Sequence, residues 1–296
     1  MSALDPTLEL DAELDGRLEP DERKRRRLPP VSAIFAMLVL LVAVVCAIAG
    51  PQLAPYDPDA QDLTATLEAA SASHPFGTDD FGRDVLSRLM AGARFALVGP
   101  LLIALGAMVI GSVFGLLAGY RGGRTDSVIM RVVDFVYSVP ALLLVIVVAG
   151  VVGGGYFLAV GLLTLLFAPN DIRLIRAATL EQRPRPYVEA AQALGLSDRW
   201  VMARHIWPNV LPVIVANSFL TFAFALVSIA GLSFVGVGID PSSPDWGRML
   251  YDARELIFTN PWTAIAPALA IVLTALSMNL LGDWMFEVLS DRGRRG

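Results

Sequence analysis

Six apolar runs, each close to the twenty or so residues a helix needs to cross a bilayer, divide this chain at 31–50, 95–120, 132–152, 157–172, 212–239 and 261–281. No soluble fold accommodates that pattern, so the expectation is an all-α membrane protein with six transmembrane helices. Composition agrees: 17% of the 296 residues are charged and 55% hydrophobic, against about 25% charged in soluble domains. The fourth run is the shortest. It is expected to break at Ala168-Pro169-Asn170-Asp171, because proline cannot continue a helix cleanly.

Arginine fixes the direction. The cluster Arg23-Lys24-Arg25-Arg26-Arg27 precedes the first run and holds the N-terminus in the cytoplasm. Alternation then puts Arg121, Arg124, Arg131, Arg173, Arg176, Arg183, Arg185, Arg199, Arg204, Arg292, Arg294 and Arg295 on the same side. Of the 23 basic residues, five lie outside: Arg83, Arg88, Arg94, Arg248 and Arg254. An odd number of spans would strand one basic end outside. The expected layout is a cytoplasmic tail (1–30), acidic, aperiodic and disordered in composition; an anchor (31–50); an extracytoplasmic segment (51–91); a core (92–285) with an internal loop at about 173–209; and a second cytoplasmic tail (286–296). The first run reads as an anchor rather than a cleaved leader, since it exceeds the usual leader core and its basic cluster follows a long acidic stretch. Residues 79–90 are expected to form a short amphipathic helix leading into the second span.

Several chemistries are excluded. Cys46 is the single cysteine, which rules out an intramolecular disulfide and a four-cysteine zinc site. His74 and His205 fall on opposite sides of the membrane. There is no HExxH, no Gly-x-Ser-x-Gly and no Walker-type phosphate loop, so the chain is expected to be no enzyme and to bind no ATP. The span interiors are nearly free of ionisable groups. Asp134 is the main exception, placed three residues from Arg131 for a helical pair. Proton- or ion-coupled carriers hold charge at membrane depth, so a self-powered secondary transporter is disfavoured. Candidates for lining a path are uncharged: Asn217, Ser218, Thr221 and Ser228. In the second span Ala107, Gly111, Gly115 and Gly119 recur every four residues. This small-residue face suits close helix approach, either within the chain or to a second membrane subunit.

Between the fourth and fifth runs lies a polar loop. Pro184 and Pro186 end the preceding helix, Tyr187 to Leu194 are good helix formers, and Gly195 is placed to stop them in a left-handed conformation. Ser197 or Asp198 can cap a second short helix running to about His205, which Pro208 ends. Small residues (Ala190, Ala191, Ala193) allow close approach, and Tyr187, Leu194, Trp200, Val201 and Met202 supply apolar knobs. Such a loop is either merely solvated or a docking element. Its carboxylates, Glu181, Glu189 and Asp198, offset its arginines, so nucleic acid is not a partner.

Glu189-Ala190-Ala191, Gly195, His205-Ile206 and Pro208 resemble the EAA loop of ABC importer permeases. The resemblance extends to His74-Pro75-Phe76-Gly77-Thr78-Asp79-Asp80-Phe81-Gly82-Arg83-Asp84 and to Gly231-Leu232-Ser233-Phe234-Val235-Gly236-Val237-Gly238. It continues in Pro244-Asp245-Trp246-Gly247 and Asn279-Leu280-Leu281-Gly282-Asp283. These five motifs, taken in their order along the chain, are similar to the dipeptide/oligopeptide/nickel branch, and most of all to its second, C-type permease subunit. Two stretches depart from the pattern. Ala168 to Arg173 replaces the family's frequent Trp and Ala-Arg pair, and Ser290-Asp291-Arg292 replaces its Asp-Pro-Arg tail.

The resemblance implies a type I ABC importer permease fold with a cytoplasmic coupling-helix loop. It implies a heterodimer with a homologous permease, two cytosolic ATPase subunits that carry the ATP and Mg, an extracytoplasmic substrate-binding protein, and membrane lipid around the spans. The coupling set would be Tyr187, Glu189, Ala190, Ala191, Leu194 and Gly195. Gly77, Asp79, Gly82, Arg83, Asp84 and Trp246 would face the binding protein, or else only order their loops through turn chemistry. Di- or oligopeptides are the expected substrates. A nickel chelate, glutathione, an opine or an oligosaccharide would be handled by closely similar subunits.

Overall fold

The structure, a computed structural model, describes residues 29–237 and 243–293. The acidic tail and its basic cluster, the Gly238–Ile239 end of the fifth run, and Arg294 and Arg295 lie outside the described residues. The described chain is helical, with one isolated antiparallel bridge between Thr78 and Asp84. In order the helices are α1 (Val31–Leu53), α2 (Val85–Arg121), α3 (Gly123–Tyr137), α4 (Ala141–Val152) and α5 (Tyr156–Gln182), then α6 (Pro186–Ala193), α7 (Asp198–Val201), a single π-helical turn (Met202–Ile206), α8 (Trp207–Phe234), α9 (Trp246–Ala253) and α10 (Trp262–Gly293).

Among the described residues five helical segments are long and apolar enough to cross a membrane, and the bent pair α3–α4 makes a sixth. The third expected span is therefore not one rod. Its two helices meet at 73° across Ser138-Val139-Pro140, because Pro140 removes a backbone donor and pushes Val139 out of helical geometry. The fourth span behaves in the opposite way. The expected break at Pro169 does not occur, and α5 runs through it to Gln182. Pro51, Pro100, Pro212 and Pro267 likewise sit inside helices, as neighbouring helices in a bundle permit. Nor does Pro208 end a helix. It falls in the first turn of α8, where its missing N–H is no loss, so Asp198 to Phe234 is one helical segment. No separate amphipathic helix covers 79–90. α2 begins at Val85, capped by Asp84, and continues to Arg121.

The most extensive helix pairing is α2 on α5, and the small-residue stripe makes it. A Cβ on Gly111 would lie 2.5 Å from Asp171 Cβ, one on Gly115 2.8 Å from Ile175 Cβ, and one on Gly119 2.7 Å from Thr179 Cβ. The stripe thus packs inside the chain. Around this pair α8 and α10 complete the bundle. α1 lies on its flank with Ala33, Ala36 and Ala43 turned inward and most of its apolar surface outward. Three apolar clusters stack along the molecule: one around Trp246, Leu226 and Phe222, one around Ile103, Leu163 and Ile229, and one around Tyr120, Ile175, Val188 and Ile206.

Candidate functional site

At one end of the bundle the loop folds much as its turn chemistry dictates. Pro186 opens α6 at a position where its missing N–H is harmless. α6 stops at Gly195, whose φ of 76° is left-handed. Gly195 N–H donates to Gln192 O at 2.9 Å and Leu196 N–H to Ala191 O at 3.3 Å. Ser197 precedes α7 in extended geometry without a side-chain cap.

One face of this helix pair is sealed. Val188 and Ala191 on α6, Val201 on α7 and Ile206 in the π turn are buried against Tyr120 and Ile175. Tyr120, at the end of α2, also pins the loop by polar contacts. Its hydroxyl accepts from Gln192 Nε2 at 3.0 Å and donates to Asp198 Oδ1 at 3.2 Å. The sequence reading missed Tyr120, since nothing in its immediate neighbours marks it. The other face is free: Glu189, Ala190, Ala193 and Gly195 are exposed, Leu194 is 81% exposed and Trp200 47%. Of the expected docking set, Glu189, Ala190, Leu194 and Gly195 thus share an outward surface. Tyr187 is half-buried and bonds Gln182 Oε1 through its hydroxyl at 2.8 Å. Ala191 faces inward and corrects the expectation for that residue.

At the opposite end the expected binding-protein contacts are turned inward. Gly77, Asp79, Gly82, Arg83, Asp84 and Trp246 are all buried. Asp79 Oδ1 accepts from the N–H groups of Phe81 and Arg83, both at 2.9 Å, and Asp79 Oδ2 holds Arg83 Nε at 2.7 Å. Asp84 Oδ2 caps α2 through Ser87 N–H at 2.8 Å, while its Oδ1 meets His74 Nδ1 at 2.9 Å. Arg88, 2% exposed, donates to Pro58 O at 3.1 Å and lies 3.8 Å from Asp79 Oδ2. Asn260 reaches the carbonyls of Phe76 and Thr78, and Trp246 Nε1 donates to Leu89 O at 2.9 Å. These residues tie 56–88 to α9 and to the start of α10, and leave Asp80 and Phe81 at the surface. Asp245, which caps α9, has its carboxyl pushed above the ordinary range by burial.

Within the spans, Asn217 and Thr221 converge on one residue. Asn217 Nδ2 donates to Asp171 Oδ1 at 2.6 Å, and Thr221 Oγ1 lies 3.4 Å from the same oxygen. Asp171 is 2% exposed in the middle of α5. The reading that named Asp134 as the main charge within the spans therefore missed a better-buried one. Asp134 itself pairs with Arg173 at 2.5 Å, not with Arg131, and Asp126 takes both Nε and Nη2 of Arg176. Asn217 also borders a cleft of about 790 Å³ between α5, α8 and α10, whose wall includes Asn279, Asp283 and Glu287. Ser218 bonds its own helix at Ile214 O, and Ser228 is half-buried away from this cleft.

Residues 111–295 match the family described as the inner membrane component of binding-protein-dependent transport systems. The chain belongs to that family. Residues 31–70 match the N-terminal transmembrane domain of oligopeptide transport permease C, which places the chain with the C-type subunits of the peptide branch. It is 36% identical to the probable D,D-dipeptide transport system permease protein DdpC of Escherichia coli K12, over 88% of this chain and 86% of that one. It is 36% identical to the glutathione transport system permease protein GsiD of Pectobacterium atrosepticum, over 90% and 89%. With the di/tripeptide transport system permease protein DppC of Pseudomonas aeruginosa the identity is 35%, over 88% of each. The fold is similar to that of a chain of the MetNI methionine ABC transporter in an inward-facing conformation, with a TM-score of 0.58 at 22% identity, covering 68% of this chain and 95% of that one. The protein is thus a multi-pass ABC importer permease of the inner-membrane class, from a family that works with ATPase and binding-protein subunits.

Proposed function

We propose that this chain is the second permease subunit of an importer that moves di- and oligopeptides across the bacterial inner membrane, driven by ATP hydrolysis in partner subunits. The observation that carries the reading is the outward face of Glu189, Ala190, Leu194 and Gly195, presented on a helix pair anchored to the bundle. Small residues let a partner approach, Gly195 makes the turn, and one carboxylate can pair with a cation. The partners are a homologous permease forming a heterodimer, two cytosolic ATPases holding ATP and Mg, and an extracytoplasmic binding protein. The chain itself binds no cofactor, and both termini lie in the cytoplasm. The cleft beside Asn217 is the segment of path this subunit contributes. The cleft wall carries the amides of Asn217 and Asn279 together with the carboxylates of Asp283 and Glu287, groups that can meet the backbone amides and the ammonium end of a short peptide.

The substrate assignment follows relatives named for dipeptides and tripeptides. Glutathione is the second reading, since a relative of equal identity is named for it. The experiment is ATPase activity of the chain co-expressed with its genomic neighbours and reconstituted in liposomes, with the binding protein and either mixed short peptides or glutathione. Peptide-stimulated hydrolysis that vanishes in Glu189→Lys supports both class and loop. Stimulation by glutathione alone moves the substrate and keeps the class. Failure to recover any associated ATPase overturns the reading.

A further inference from the structure

Beside the loop, where the π-helical turn meets α2, a second groove of about 580 Å³ opens on the outside of the bundle. Its walls are aliphatic: Val113, Leu116 and Leu117 on α2, with Met202 and Ala203 from the π turn. Among the described residues Arg199 and Trp207 are the charged residue and the aromatic that stand in it. A π turn inserts one extra residue into a helix and recurs at functional positions. Here it carries two of the groove's wall residues.

Two features say what fits. First, the groove continues an exposed apolar stripe on α2, formed by Val98, Leu102, Leu105, Val109 and Val113, so its upper wall has the chemistry of a lipid-facing surface. Secondly, its lower end has a cation with nothing opposite it. Arg173, Arg176 and Arg185 in the same loop are each paired with a carboxylate, whereas Arg183, Arg199 and Arg204 have no ion pair among the described residues, and of these three Arg199 is the one that lines the groove. Among the described residues no carboxylate lies within ion-pair distance of Arg199, which is exposed. Trp207, 37% exposed, is the residue type that settles at the headgroup level of a bilayer. An apolar wall below which one free guanidinium and one interfacial indole converge is complementary to an amphiphile with a single negative head.

We infer that this groove binds an anionic phospholipid of the adjoining leaflet, its headgroup on Arg199 and an acyl chain along Val113, Leu116 and Met202. The site lies on the fold itself and does not depend on which substrate the transporter carries. Because Met202 also packs in the cluster that holds α6 and α7, occupancy would brace the loop from its membrane side.

The test uses the full chain in nanodiscs of phosphatidylcholine with added phosphatidylglycerol bearing a photoreactive acyl chain, followed by peptide mapping and by native mass spectrometry of retained lipid. Wild type is expected to retain phosphatidylglycerol over phosphatidylcholine by about fivefold, the worth of one basic residue near an anionic lipid surface. Labelling is expected on residues 112–117 or 202–207. Arg199→Gln should bring the preference to parity, and Arg183→Gln, another cation of the loop, should leave it intact. Ser112→Trp, which fills the groove, should abolish labelling there for both lipids. Equal retention of the two lipids by wild type, or a preference that survives Arg199→Gln, overturns the proposal. So does a crosslink from Ala203→Cys to a partner permease in the co-expressed assembly, which would show a protein helix in the groove.

Discussion

The two ends of the bundle carry motifs of similar composition, small residues, turn formers and isolated carboxylates, yet use them in opposite ways. At the 77–84 end Asp79, Arg83, Asp84 and Arg88 turn inward and spend their charge on each other and on backbone groups. At the 187–195 end Glu189 and Gly195 turn outward, and the sealing falls to Val188, Ala191, Val201 and Ile206, helped by the Tyr120 hydroxyl. A motif of polar and small residues therefore does not by itself announce a contact surface. The difference lies in whether its charges find partners within the chain.

Arg88 is where the two ends should differ most in consequence. Arg88→Ala empties the volume of a buried side chain and removes its bond to Pro58 O, and is expected to lower the stability of the whole protein by about 3 kcal/mol, read as a large drop in thermal midpoint. Glu189→Lys, at the other end, should leave that midpoint unchanged and cut substrate-stimulated ATPase of the assembly by more than about tenfold, since a charge reversal across an interface costs several kcal/mol. If Glu189→Lys unfolds the protein and Arg88→Ala does not, the contrast is inverted. A smaller effect belongs to Trp246→Phe, which loses the bond to Leu89 O and should cost about 1 kcal/mol without changing transport. The smallest concerns pH. Asp245 is a carboxylate whose folded pKa is raised by burial, so folding favours its protonated form. Its contribution is present at low pH and is lost as pH rises through the folded pKa. Asp245→Asn keeps an N-cap acceptor, so the stability of the variant relative to wild type should rise with pH across that window in chemical denaturation.

What could be read from the sequence was local. Gly195 announces its left-handed turn because few other residues tolerate one, and the apolar runs announce spans because no water-soluble arrangement covers them. What could not be read depends on neighbours distant in sequence. Pro140 and Pro169 look alike in the sequence. One breaks its helix and the other does not, because α5 is pressed along its length against the glycines of α2 while the α3–α4 junction lies among exposed residues. Asp171 stayed invisible for the same reason: its partners, Asn217 and Thr221, come from a helix about fifty residues on. Tyr120 is the clearest case, a site residue defined only by the loop that folds back onto it.

That tyrosine sits at one end of α2, and the aspartate that caps the other end belongs to the charged knot. With 37 residues, α2 is a strut of about 55 Å at the usual rise per residue. It is wired to both faces of the molecule and braced along one side by α5. One continuous helix, with Pro100 inside it, thus presents Tyr120 to the loop at one end and Ser87 and Arg88 to the segment around Asp79 at the other. The two faces therefore share a single structural member, so a substitution that bends or shortens α2 alters the footing of both.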